Sequence, residues 1–196
     1  QGPAGEYVTA ASALSASGRV ALYSVQASEQ RIRILNIPTA AWTEITIEDA
    51  PTSQAGLQLA FVGDRVVLFQ ADADAPRLWV DGTGPFALPT DVGADALLQS
   101  SGPTSDAVLV ASSTGLDRVA LADGALIEHV DAAGVAARPV AFGERMAAAW
   151  LTGGSGTLWV SGGGAPIELA IDGGAFDDSV EVTPELVSNG DRAVLL

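Results

Sequence analysis

Apolar residues in this chain fall in short blocks of about 4–6, a length that suits strands rather than helices, each bounded by Gly, Asp, Ser or Pro. The stretch Gly63 to Thr83 sets the pattern. A polar turn (Gly63-Asp64-Arg65) leads into Val66 to Phe69, a polar link follows, and a second block, Leu78 to Val80, ends at a tight Asp81-Gly82 turn. The turn-then-block unit recurs five times, starting near Ser17, Gly63, Ser105, Gly143 and Gly190. Its marker positions are 19, 65, 107, 145 and 192, Arg in all but Ala107, so the spacings are 46, 42, 38 and 47 residues. A second landmark follows each of the first four markers by 12 or 13 residues: Ile32, Leu78, Val119 and Leu158. A period of about 40–45 residues is that of a four-stranded propeller blade.

Each unit divides into four strands. The first precedes the turn (Ala13-Leu14, Leu57 to Val62, Leu97-Leu98, Val140 to Phe142, Leu186-Val187), the second follows it, and the third is the LWV-like block. The fourth is more polar and alternates: Trp42 to Ile47, Phe86 to Val92, Leu126 to Val130 and Ile167 to Ile171. Continuous apolar blocks suit strands buried on both faces, and alternation suits an outer strand with one face in water. The Ala-rich run Met146 to Trp150 has helix propensity but occupies the slot held elsewhere by Val66 to Phe69, so it reads as strand. The pattern predicts an all-β chain: one β-propeller-like repeat domain over residues 1–196, with about five four-stranded blades. The blades fall at residues 10–50, 54–93, 96–134, 137–174 and 182–196, the last completed by residues 5–10. The ring is expected to be open, or part of a larger propeller of which this chain is a fragment.

The unit resembles bacterial propeller repeats of the TolB-like and WD-repeat-like kind, in which an I/L-W-V strand follows the turn by about a dozen residues. Leu78-Trp79-Val80-Asp81-Gly82-Thr83 and Leu158-Trp159-Val160-Ser161-Gly162 carry the likeness, and the first also looks like the L-W-x-x-D-G-T repeats of large bacterial surface proteins. The S-P-D-G box of those families is replaced by Ala16-Ser17-Gly18 and Val62-Gly63-Asp64. The resemblance implies a module for protein docking or ligand binding, with an extracytoplasmic location (periplasmic, cell surface or secreted). Fold alone does not choose among functions.

Charge narrows the partners. The chain has 24 acidic residues against 9 basic ones, all Arg, and a formal charge of −15. Nucleic acid is disfavoured, because phosphate binding needs basic stripes. No apolar run reaches the roughly 18–20 residues of a helical membrane span, so membrane insertion is not expected. With no cysteine and one histidine, thiolate chemistry and His-rich metal sites are excluded.

Candidate chemistry is sparse. Asp72, Asp74 and Asp81 alternate around a link and could offer oxygen ligands to calcium, although the order and closing Glu of a calcium loop are missing. Asp172, Asp177 and Asp178 form a second acidic stretch. Turn aspartates usually bond their own backbone. His129 sits in an outer strand, where a structural or surface role is expected. Trp79 and Trp159 share one repeat slot and so read as packing between blades, whereas Trp42, opening an outer strand, is the candidate for contact with a ligand. The Gly153-Gly154-Ser155-Gly156 and Gly162-Gly163-Gly164 runs read as turns, since no helix follows to make a phosphate cradle. Three functions follow from this reading. The leading one is a non-catalytic protein–protein interaction or scaffold module of an exported or cell-surface bacterial protein, without a cofactor. The alternatives are a glycan- or calcium-dependent binding propeller and a carboxylate-dependent glycoside hydrolase or lyase.

Overall fold

A computed structural model of the chain describes residues 8–15, 17–26, 29–51, 53, 55–71, 76–88, 96–100, 106–142, 145–152, 155–170, 185–188 and 193–195. These residues contain strands and turns and no helix. The first sheet is β1 (Val8–Leu14), β2 (Arg19–Gln26), β3 (Glu29–Asn36) and β4 (Ala41–Thr46) in that spatial order. The second is β5 (Leu57–Val62), β6 (Arg65–Gln70), β7 (Arg77–Val80) and β8 (Thr83–Ala87). The third is β9 (Leu97–Ser100), β10 (Ala107–Ser112), β11 (Gly115–Ala120) and β12 (Leu126–Asp131). All pairings are antiparallel between strands adjacent in sequence, as short turns dictate.

The fourth sheet departs from this plan. Its first strand is broken into β13 (Val135–Ala136) and β14 (Val140–Phe142), both paired with β15 (Arg145–Thr152), followed by β16 (Ser155–Val160) and β17 (Ile167–Ala170). The register slips by one residue between the two pieces: Ala136 faces Trp150, while Val140 faces Ala147. Pro139 lies in the gap. It has no N–H to give to the ladder, and proline is tolerated in sheets at such interruptions. Arg138 uses the gap to donate from Nη1 to the Leu98 carbonyl in the third sheet at 3.1 Å. Two further strands, β18 (Leu186–Ser188) and β19 (Ala193–Leu195), pair with each other.

The sheets stack face to face, and the alternation inside one strand feeds two seams. Val66 and Leu68 point toward the first sheet and, with Leu59 and Trp79 of their own sheet, pack with Tyr23 and Ile32. Val67 and Phe69 point the other way, into Leu98, Val108, Val110 and Val119 of the third sheet. Leu109, Leu116, Met146, Ala148, Trp150 and Trp159 fill the next seam. On the far face of the fourth sheet, Ala147 and Ala149 pack with Leu186. This explains the unbroken apolar blocks: a strand between two seams has no wet face. Fully burying each large aliphatic or aromatic side chain stabilises by roughly 1.5–3 kcal/mol. Met146 to Trp150 is strand, as its repeat slot implies.

The amino terminus differs from expectation. Val8 and Thr9 do not start a separate strand that completes the last unit; they extend β1 and pair with Val25 and Ser24. The eight-residue β2 needs a partner along its whole length, and the pairing continues past an irregularity between Thr9 and Ala11.

Candidate functional site

The LWV box, followed from its turn upward, is a joint. In β7 the indole of Trp79 is fully buried and donates from Nε1 to the Glu48 carbonyl at 2.9 Å, tying the second sheet to the exit of the first. After β7, Asp81 takes a positive φ and closes a paired bond with the head of β6. Its N–H donates to the Val66 carbonyl at 2.9 Å, and the Val66 N–H donates to Asp81 Oδ1 at 2.9 Å. Arg65 adds an ion pair at 3.0 Å. The fourth sheet repeats the device with a different side chain: Ser161 N–H donates to the Met146 carbonyl and Met146 N–H donates to Ser161 Oγ, each at 2.9 Å. Asp81 therefore serves as a turn cap whose work a hydroxyl performs equally. Asp72 and Asp74 lie outside the described residues, as do Asp172, Asp177 and Asp178; the whole of β7 separates Asp81 from Pro76, the first described residue after them.

Removing that cap has a defined consequence. Asp81→Ala is expected to lower stability in urea unfolding by about 1 kcal/mol, the net worth of one hydrogen bond to a partly buried N–H. Asp81→Ser should recover most of it. A calcium ligand would behave otherwise: stabilisation by added calcium would vanish in both variants.

The recurring Arg has no single task. Arg19 reaches across the first seam, donating from Nη1 and Nη2 to the carbonyls of Asp64 (3.0 Å) and Gly63 (2.9 Å), with its charge 2.9 Å from Asp64 Oδ1 and stacked over Phe61 at 4.9 Å. Arg65 instead serves the turn within its own sheet.

Trp42 is half-buried in β4, opposite Leu35, on the face of the first sheet that points away from the second. Two positions along, Glu44 receives Arg33 Nε at 2.7 Å and Arg31 Nη1 at 2.6 Å, while Arg33 Nη1 donates to Ser24 Oγ at 3.0 Å and Arg31 Nη2 to Glu29 at 2.8 Å. Those bonds, from Arg33 first and Arg31 second, hold the Glu44 carboxyl below the usual carboxylate range.

The structure also assembles a group that residue patterns alone did not bring together. Across the β11–β12 pair, Asp117 faces His129. Asp117, with its side chain 6% exposed, has its Oδ1 2.7 Å from His129 Nδ1; Nε2 lies 3.1 Å from the Asp131 carboxylate, which is 98% exposed. Hydrogen bonding to the Asp117 carboxylate, and then to that of Asp131, raises the pKa of the imidazole above its ordinary value. The group clamps an outer strand to its neighbour. Its sequence signal is a 12-residue separation across a hairpin, which becomes informative only when the register is known.

A raised value in the folded state means that the charged imidazole contributes stability below its unfolded value near 6.5, and that this contribution is lost as pH rises through the raised folded value. The stability gap between the natural chain and His129→Asn is therefore expected to be wider at pH 5.5 than at pH 8.5. Thermal melts of both proteins at the two pH values check this.

No family model matches the chain, and no curated protein sequence matches it. Solved structures do resemble it. A protein of unknown function from Bacteroides caccae matches with a TM-score of 0.51 at 10% identity, over 84% of this chain and 61% of that one. A complex of the dihydro-heme d1 dehydrogenase NirN matches with a TM-score of 0.52 at 16% identity, over 92% of this chain and 40% of that one. This chain thus spans less than two thirds of either protein. At these identities the likeness is one of fold: the stacked antiparallel sheets form a β-propeller-like array.

Proposed function

We propose that the chain is a non-catalytic docking module that meets a protein partner at its outer strands. One observation carries this reading. Six large aliphatic side chains stay exposed among the described residues, and four of them occupy one place in the repeat, the turn into the outer strand or that strand's first residues. These are Ile37 in the first unit, Leu126 and Ile127 in the third and Ile167 in the fourth, between 46% and 60% exposed. Apolar side chains elsewhere in the same units fill the seams, so their exposure here is not a shortage of interior. Leu126 and Ile127 are adjacent in the chain, and the recurrence of such exposure at the outer strands of three units is what supports an interaction surface there. The likeness to surface-protein repeats favours an extracytoplasmic setting. The dehydrogenase activity of NirN is not carried over to this chain.

A photo-crosslinking residue placed at Leu126 or at Ile167, with Thr152 as the control position, tests the proposal in extract of the source organism. The same saturable adduct should form from both rim positions, and unlabelled natural chain should compete it away while an Ile127→Asp chain should not. Equal adducts from Thr152, or no saturable adduct, would overturn it.

A further inference from the structure

We infer that β12 is the docking edge itself, and that its occupant is an extended, basic segment of the partner added as a fifth strand to the third sheet. The inference rests on the docking reading above and narrows it to one strand and one chemistry. β12 ends its sheet, and among the described residues β11 is its one sheet neighbour. The Ala132 N–H donates to the Thr114 carbonyl, which fixes the phase of the ladder. In an antiparallel pair bonded residues alternate with non-bonded ones, so Val130 bonds inward to Leu116, while the backbone groups of His129 and Asp131 face the free edge. An exposed row of this kind is a template for another strand.

The outer strands of the other three four-strand units are poorer templates. β8 has Pro85 at its centre, which removes a donor. β17 is four residues long. β4 carries one acid, Glu44, already matched by Arg31 and Arg33. β12 has six residues, no proline, and two exposed aliphatics in succession, Leu126 and Ile127. Ile127 is the extra residue where the register with β11 shifts between Leu126 and Glu128, so an added strand would meet an apolar pair at the start of this edge. His129 meets Asp117 across the β11–β12 pair and Asp131 along its own strand, so the far end of the edge is held to β11, while at the near end the register shifts between Arg118 and Val119.

Charge selects the occupant. Asp123, Glu128 and Asp131 lie on β12 or the turn before it, with Asp117 buried beneath, and residues 119–137 contain no Arg. Among the described residues of β11 and β12, the cations facing this group are Arg118, opposite Glu128, and His129 when protonated. An acidic edge attracts an extended segment carrying Lys or Arg and rejects an acidic one.

The test uses the whole chain and a fluorescent, end-capped Lys-Val-Lys-Val-Lys-Val peptide, followed by anisotropy and by amide NMR shifts. Saturable binding is expected, with the largest shifts at His129 and Asp131. Affinity should fall at least about tenfold for a Glu-Val counterpart, for a peptide N-methylated along its pairing edge, and for Glu128→Lys combined with Asp131→Lys. Equal binding of the N-methylated peptide, or shifts spread over the acidic surface away from β12, would overturn the inference. So would pairing of β12 with a second copy of this chain. If the rim crosslinks survive these outcomes, docking stands and strand addition fails; if the crosslinks are also lost, both fail.

Discussion

Replacing Trp79 with Ala is expected to lower stability by about 3–5 kcal/mol, the range for truncating a large aromatic in a packed core. Trp79 is fully buried in the seam between the first two sheets, against Tyr23, Ile32 and Leu68. The cavity left by its indole is bounded by strands of two sheets, each held by its own ladder, so neither collapses easily into the space. The substitution also strands the Glu48 carbonyl, which receives Nε1. Trp42→Ala is the internal comparison: it removes a half-buried indole from an outer strand, on the face that takes no part in the seam between the first two sheets, and should lose about 1 kcal/mol, as substitutions outside a packed core usually do. Urea unfolding of the two variants side by side reads the difference. Equal losses would mean that the LWV strand is not an inter-sheet joint.

Gly82→Ala is the second large effect, with an expected loss of about 3–5 kcal/mol from backbone strain and overpacking together. Gly82 has φ +85°, and a Cβ there would lie 2.2 Å from the Thr46 carbonyl oxygen and 2.6 Å from Ile45 Cγ2. The obstacle is the backbone of the first sheet, which is fixed from the other side by the bond from Glu48 N–H to the Gly82 carbonyl at 2.9 Å. The fourth sheet supplies the control in the same slot. Gly162 has φ +73°, and among the described residues an added Cβ meets nothing within 4 Å. Gly162→Ala should therefore lose about 1–2 kcal/mol, the strain of a left-handed conformation alone. The same Gly-to-Ala change, made at two equivalent turns, separates conformation from contact.

These two sites also show how far the sequence could be read. Val66 to Phe69 and Leu78 to Val80 were legible because burial on both faces leaves an unbroken apolar block, and because the block recurs at near-constant spacing. The joint at Trp79 was legible from the second tryptophan in its slot, Trp159. Asp81 was harder. Its carboxylate looked like part of an acidic site, yet Ser161 occupies the same position and closes the same pair of backbone bonds. Chemically different side chains filling one hydrogen-bonding role conceal a repeat from composition. The Asp117–His129 clamp and the Arg33–Glu44 pair were not legible for a different reason. Both join neighbouring strands, and a one-residue change in register would place each pair on opposite faces. Register here includes irregularities, between Arg118 and Val119 and at Arg138–Pro139, that no periodicity announces. The same applies to Val8 and Thr9, whose pairing with β2 depends on where that strand stops.

Amide hydrogen exchange along β12, resolved residue by residue, tests most directly the claim that the outer strand is a free edge of a stacked sheet. Opening is slow where an amide is bonded within the sheet and fast where it faces water. The structure predicts slow exchange at Val130 and Ala132, bonded toward β11 and its turn, and fast exchange at His129 and Asp131 between them. Uniform protection across all four amides would contradict it, because the edge would then already be covered.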